Sequence, residues 1–447
     1  MENVAQNRGK SQGIEVSFSG SNLTLYGGTG LLRRFLGKLG VKVALDKDIQ
    51  LPRQERKYSS GDMLLSLVHA QALDLERLSD TSLLHQDRVF QQVAGFEDYP
   101  HQSSLSRFLR KFSVAAARKI GEVNLGLWCR VRGDLSQWSR ITLDFDSHVT
   151  PVYGKQQRAK VGYNPKKPGR RSYHPLLCFI GETRDFLWGR FRPGDRNNLQ
   201  GAKGFLQECL ARLPRALKEL FLRADSGFYS DSFLRCLEGK SRRIRYAVVA
   251  KLYPAIQAQL AGVEYRDIGG GVEVGEFCYQ GLGWKKARRM VVIREETKEE
   301  ETKKKEPKLL ELKGHTYQVI VTNIDWAPEE VWRFYNDRAN VENMVKEGMM
   351  GYGLDVVVSH SYGANMAHFY ITMLTYNLMN WFKEGVLGQR KVKRMAKWVR
   401  QRFLLIAGRL VSRGRRLILR LSQSYPWQRE YERAEARLEA LKLPLPA

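Results

Sequence analysis

Apolar residues recur every three to four positions from Leu31 to about Phe112, which predicts a run of helices. The segments "GDMLLSLVHAQAL" and "SSLSRFLRKF" carry the pattern most clearly. In the second, Leu105, Phe108, Leu109 and Phe112 share one face, Ser103 stands where a cap is wanted, and Arg107, Arg110 and Lys111 face outward. The period then changes. In "RITLDFDSHVTPVYG", Ile141, Leu143 and Phe145 alternate with Thr142, Asp144 and Asp146 as in a strand. "HPLLCFIGE" and "DFLWGRFRPG" read as two more strands, followed by a helix at about 200–213, a strand in "LKELFLRADSG", a helix near "SDSFLRCLEGK" and a strand in "RYAVVAKL". This order predicts an α/β layer with an antiparallel start.

From about 252 to 322 short β-like runs replace that rhythm: "GVEVGEFCYQ", "ARRMVVIREE" and "TYQVIVTNI". Among them, "EETKEEETKKKEPK" at 295–308 holds six acids, five bases and no apolar residue, and is expected as an exposed loop or hairpin tip. A helix is expected to start after Pro328, with Glu329 and Glu330 in its first turn, and to run through "YNDRANVENMVKEG" at 335–348. Tyr335, Arg338 and Glu342 would then lie on one stripe. The longest apolar run, "MAHFYITMLTYNLMNWF" at 366–382, contains His368, Asn377 and Asn380 and reads as a buried helix, being short of a clean membrane span of about 20 residues.

Charge changes this picture from a generic α/β protein to a polyanion binder. The 447 residues carry a formal net charge of +27. Such an excess points to nucleic acid as the partner, although an acidic membrane surface would attract it too. It is uneven. Residues 383–420 hold thirteen Lys or Arg against one acid, and "KQQRAKVGYNPKKPGRR" at 155–171 adds seven bases and no acid. Both are expected to follow a phosphate backbone, and the basic face of "SSLSRFLRKF" to touch DNA through Arg107 and Arg110 unless it is merely solvated. The five cysteines are scattered without a C-x-x-C pair, which argues against a zinc ribbon or a disulfide framework and fits a reducing cytosol. The opening "MENVAQNRGKSQG" is polar, unlike a secretory signal.

Acids inside apolar strands are expensive unless something pairs with them. Asp144 and Asp146 share a strand face, and Asp225 closes "LFLRAD" at the carboxyl edge where α/β sheets place their sites. Asp144 has an arginine partner as its dull alternative, and Asp225 a capping role. With Glu342 they make a set of hard oxygen donors of the kind magnesium takes.

"LDFDSHV", "RADSGFYS" and "YNDRANVENMVKEG" resemble the three acidic motifs of DDE transposases from bacterial insertion sequences, in the group with a Tyr-Arg-Glu-Lys signature. Tyr335, Arg338 and Glu342 match its intervals; position 349 is Met where Lys is asked for, and Lys346 stands one turn past Glu342 as a substitute. "GYNPKKPGRRSYHPL" and "GANMAHFYITMLTYNLMNWF" extend the likeness to roughly residues 20–425. The resemblance implies a ribonuclease-H-like mixed sheet with helices on both faces, interrupted by a β-rich insertion, plus an N-terminal helical DNA-binding region and a basic C-terminal region. The expected divisions are 1–135, 136–251, 252–322, 323–385 and 386–447.

The same resemblance implies Asp146, Asp225 and Glu342 as catalytic metal ligands, with Asp144 as a further or alternative ligand; Ser147, a small residue after the acid, favours Asp146. It implies two Mg²⁺ ions, replaceable by Mn²⁺. Tyr335, Arg338 and Lys346 are implied on phosphates, with Lys166, Lys167, Arg170 and Arg171 from the basic loop. Trp284 in "GLGWKKARR" is implied to stack on a base turned out of the helix, beside Lys285, Lys286, Arg288 and Arg289. The implied partners are double-stranded DNA, as terminal inverted repeats and target, and a second copy of the chain in a synaptic complex, in a bacterial cytoplasm at the nucleoid and not at a membrane. Two other functions share these residues: a ribonuclease-H-like nuclease without strand transfer, and an inactive DNA-binding relative.

Overall fold

The computed structural model describes residue 14 and residues 16–52, 57–164, 167–215, 217–239, 243–296, 310–312, 314–389 and 394–445. The change of period at Arg140 is where the central sheet begins. Strands β1 (Arg140–Ser147), β2 (Leu176–Ile180), β3 (Phe186–Arg190), β4 (Glu219–Ala224) and β5 (Arg245–Val249) lie in the order β3-β2-β1-β4-β5. β1 runs antiparallel to β2, and β2 to β3, while β1, β4 and β5 are parallel. This mixed α/β arrangement is consistent with a ribonuclease-H-like core. β1 sits in the middle, and from Ile141 to Phe145 it is buried on both faces.

The β-like runs of 252–322 build no sheet of their own. They form β6 (Arg266–Asp267), β7 (Val272–Tyr279), β8 (Arg288–Glu296), β9 (Leu310–Leu312) and β10 (His315–Thr322). β10 pairs antiparallel with β5, and β8, β7 and β6 follow outward, so the segment widens the core sheet at one edge. Most of the charged tip expected at 295–308 lies outside the described residues.

On the helical side, α1 (Ser60–Ala72), α2 (Gln102–Leu109) and α3 (Val114–Arg132) pack against α6 (Tyr362–Gly385), the helix expected from the longest apolar run. The four buried residues expected on one face of α2 are buried, but its cap is His101, whose ring accepts from the N–H of Ser103 at 3.2 Å. Ser103 falls inside the first turn instead. α4 (Pro328–Asn336) and α5 (Ala339–Tyr352) precede α6.

α6 is enclosed by protein along most of its length, and its polar residues have internal partners. Gln71 of α1 bonds Thr372 at 2.9 Å and His368 at 3.2 Å. Asn377 clasps the edge strand β3, donating to Phe186 O and accepting from Phe186 N, both at 2.8 Å. The side-chain amide thus does for one residue what a neighbouring strand would do. Among the described residues no helix is long and apolar enough to cross a membrane. α3 approaches closely because Gly121 faces Trp188 and Tyr370, which a Cβ there would meet at 2.7 and 2.8 Å.

A small second sheet joins the two ends of the chain. Leu23–Thr24 pairs with β11 (Gly408–Arg413), which pairs with β12 (Arg416–Leu421).

Candidate active site

Two carboxylates share one face of β1, and the fold treats them differently. Asp144 lies opposite Arg223 of the parallel strand β4. Arg223 grips it bidentately, Nε to Oδ1 at 2.6 Å and Nη2 to Oδ2 at 2.7 Å, and its remaining Nη1 donates to Phe334 O at 2.7 Å. Asp144 is fully buried, so this pair is an internal strut binding β1, β4 and the end of α4. Both carboxylate oxygens are committed.

Two residues on, Asp146 is 13% exposed and has no such grip. Its Oδ1 accepts from the N–H of Ser147 at 2.8 Å and lies 3.3 Å from Arg338 Nη2. Burial pushes its carboxyl up to about 6, the negative charges of Asp225 and Glu342 push the same way, and Arg338 opposes them. Asp146, at the end of the first core strand, therefore feels acids from two other elements: Asp225 just after the fourth strand, and Glu342 in the first turn of α5. Asp225 is half-buried and also caps the turn Ser226–Phe228, its Oδ1 accepting from Gly227 N at 2.9 Å. Glu342 is exposed.

The single helix expected through 335–348 is broken. α4 ends at Asn336 and α5 starts at Ala339, with Asp337 and Arg338 in the turn between. The backbone there tightens to i→i+3 bonds, Arg338 N to Tyr335 O at 2.8 Å and Val341 N to Arg338 O at 2.7 Å. The turn aims Arg338 inward: it is 5% exposed and donates to Phe145 O at 3.1 Å as well as facing Asp146. Burial works against its charge, but Asp146 and Asp225 hold it protonated above its ordinary value. Its Nε is buried without a partner. Tyr335, 8% exposed, has its phenol pushed up to about 12 by burial and by the same two acids, against the pull of Arg338. Expected on phosphates, both side chains stand here behind the carboxylates. Lys346 is exposed, while Met349 is half-buried against the core.

Behind Asp146 stands a polar network that sequence reasoning missed. Ser147 Oγ lies 2.9 Å from Asn198 Oδ1 and 3.0 Å from His174 Nε2, whose Nδ1 meets Arg196 O at 2.6 Å. Burial, then Arg192, push the imidazole down to about 4. The Asn198 amide abuts Gly227, so a Cβ there would lie 2.1 Å from it. The network thus ties the turn after Asp146 to the turn after Asp225. His174 stands in the quoted "GYNPKKPGRRSYHPL", and Arg223 is a charge inside the apolar strand "LFLRAD"; both were visible signals, whereas Asn198 carries none.

The expected DNA contacts lie on several separate elements. Lys166 lies outside the described residues. Lys167, Arg170 and Arg171 are exposed, the first two over the ring of Tyr153 at 5.0 and 4.9 Å. Arg107 and Arg110 are exposed on α2 and bond only to their own turn, at Ser104 and Ser106. Trp284, half-buried, packs on Tyr229 four residues past Asp225, with ring centroids 5.6 Å apart. Of its basic neighbours, Arg288 is buried against Asp231 and Glu238, Lys286 pairs with Glu238 at 3.1 Å, and Arg289 is bound to Glu276; these three serve the fold rather than standing free for phosphate.

Among the described residues no group of three His, Cys, Asp or Glu side chains is closed enough to hold a metal ion. The donor chemistry nonetheless fits a hard divalent cation, since Asp146, Asp225 and Glu342 supply carboxylate oxygens near one another with Arg338 as their cationic neighbour. The family described as transposase DDE domain group 1 matches residues 6–443 of the chain. No curated protein matches. Among solved structures, a piggyBac transposase synaptic complex with hairpin DNA is similar at 14% identity and a TM-score of 0.47, covering 83% of this chain and 78% of that one.

Proposed function

The chain belongs to the transposase DDE domain group 1 family, and from that premise we propose that it is a DNA transposase of an insertion sequence. It would cleave at terminal inverted repeats and transfer the freed 3′ ends into target DNA, working as a homodimer on two ends. The observation that carries this reading is the setting of Asp146 at the rim of the central sheet, its carboxyl raised by burial first and then by Asp225 and Glu342, against the pull of Arg338. Those three residues would hold Mg²⁺, which when bound would activate water and stabilise the leaving oxygen of a phosphodiester. Asp144 is left out of the ligand set, because Arg223 occupies it.

The chain's own residues contribute placement. Arg338 faces Asp146 from behind, and its positive charge offsets the repulsion between this carboxylate and the other two acids. The Ser147, His174 and Asn198 network fixes the relative position of the two acid-bearing turns. Lys346, Lys167, Arg170 and Arg171, all exposed, would receive the DNA backbone, and Trp284 an unpaired base.

Purified protein with Mg²⁺ and duplexes carrying candidate element ends tests this directly. End cleavage followed by joining to a second DNA is expected. Cleavage without joining would make the protein a nuclease, and binding without either would make it an inactive relative.

A further inference from the structure

The basic excess of 383–420 is divided by the fold in a way that residue counts do not show. Lys383 is buried in an ion pair with Glu347 at 2.8 Å, and Arg400 is buried against Asp74 and three backbone carbonyls. Arg402 lies over Trp427 at 4.4 Å and pairs with Glu430. Lys383 and Arg400 thus belong to the interior of the protein, and Arg402 is half-buried in contacts within it. The hairpin β11–β12 is different.

Its register sets Arg409 opposite Arg420 and Arg413 opposite Arg416, with Val411 opposite Ile418 between them. Directly opposed residues project from the same face, so four guanidinium groups share one side of the hairpin, which is two-stranded toward its tip and flanked by Leu23–Thr24 only at the Arg409 end. All four are exposed. Among the described residues none of them has an ion-pair or side-chain hydrogen-bond partner. Like charges directly opposite one another destabilise a strand pair, so this arrangement works against the hairpin unless an anion lies on it. The turn adds a second, independent observation. Gly414 and Arg415 both have positive φ, 56° and 63°, and Arg415 is an exposed L-residue in a left-handed position that glycine or asparagine would occupy with less strain. A fifth arginine is thus held at the tip at the expense of local conformation.

We propose that the Arg409, Arg413, Arg415, Arg416 and Arg420 face of β11–β12 is a docking surface for the phosphate backbone of duplex DNA, separate from the acid site. The two arginine pairs are four residues apart along the ribbon, about 13 Å at the rise of a strand. A major groove is about 12 Å wide and admits a two-stranded ribbon, so the pairs match phosphates on its two rims. The arginines stand at the two ends, where the rims lie, and only Val411 and Ile418 stand between them, so the centre of the face offers the base edges no hydrogen-bond donor and the contact is expected to depend little on sequence. The inference rests on DNA being the partner of this protein, as proposed above.

The test uses the full chain and two variants, Arg415→Gly and the fourfold Arg409→Thr, Arg413→Thr, Arg416→Thr, Arg420→Thr. Binding to unrelated duplexes is measured over a range of salt, and thermal unfolding is followed in parallel. The expected result is a melting temperature unchanged or raised in both variants, because strain and repulsion are relieved, with binding weakened alike for every duplex. The fourfold variant should flatten the slope of log affinity against log salt by about 3–4 units, close to 0.9 per lost phosphate contact. Wild-type affinity and slope in a stable fourfold variant would overturn the docking surface and leave the transposase reading intact. Failure of the wild type itself to bind duplex DNA would overturn both. Arginine-dependent binding to phosphatidylserine vesicles, with DNA binding unchanged, would reassign the face to a membrane.

Discussion

Asp144 and Asp146 stand two residues apart on one face of one strand, and their surroundings make opposite use of the same carboxylate. Asp144 has both oxygens taken by Arg223, whose Nη1 in turn donates to Phe334 O, so the carboxylate is satisfied and closed. Asp146 has one cationic neighbour, Arg338 at 3.3 Å and without a bidentate grip, and two acids pressing on it. A satisfied buried charge holds a fold together, whereas an unsatisfied one near the surface is an opening for a cation from solution. The strand end is where this change occurs: from Asp144 to Asp146 the chain passes from the interior to the rim.

The most decisive way to break this comparison is to neutralise each acid separately. Asp146→Asn is expected to reduce end cleavage below detection while DNA binding and cooperative unfolding persist, read by strand-scission and band-shift assays on the same preparation. Residual cutting near the wild-type rate would remove Asp146 from the site. Asp144→Asn should do the reverse in kind. It strands a buried guanidinium, which costs about 3–5 kcal/mol of stability by denaturant titration. The double variant Asp144→Leu, Arg223→Met should recover much of that loss, since it removes both charges together. Full stability in Asp144→Asn alone would mean that the strut is ornamental.

A third, smaller effect is expected behind the site. Ser147→Ala removes the hydroxyl that joins His174 and Asn198, and should slow cleavage without abolishing it, with weaker dependence on the identity of the metal than a ligand substitution would show. An unchanged rate and an unchanged Mg²⁺ titration would confine the network to packing.

Much of this was legible beforehand, for identifiable reasons. The alternation in "RITLDFD" and the acid closing "LFLRAD" are local, and each element formed where its period placed it. The buried polar helix α6 was legible because its run was too short and too interrupted for a membrane. What failed depended on geometry between distant segments. That Asp144 rather than Asp146 meets Arg223 follows from strand register, and register is not written in either strand alone. The break at Asp337–Arg338 lies in residues whose backbone stays in the right-handed helical region on both sides, so no Pro or Gly announces it. Residue counts located the basic C-terminal segment but could not separate Arg400, facing inward, from Arg409 and Arg420, facing each other.

The least conspicuous prediction sharpens the comparison by pH. The Asp146 carboxyl is raised from 3.8 to about 6, so between those values the native protein keeps a proton that the unfolded chain releases. Its contribution to stability is therefore complete below 3.8 and is lost as pH rises through about 6. Other groups titrate over the same range, so the useful quantity is the difference between the wild type and Asp146→Asn. Without divalent cation, the variant should gain melting temperature relative to the wild type as pH is raised from 4 to 7, on the order of 2 °C for each kcal/mol in a chain of this size. Excess MgCl₂ should close that gap above pH 6, because a cation bound to the native state relieves the repulsion that the asparagine removes by chemistry. In the Asp144→Leu, Arg223→Met background the same pH-dependent gap should survive, since Arg223 does not touch Asp146. A gap that is flat with pH, or one that magnesium leaves untouched, would mean that the two acids of β1 differ in burial alone and not in readiness for a metal.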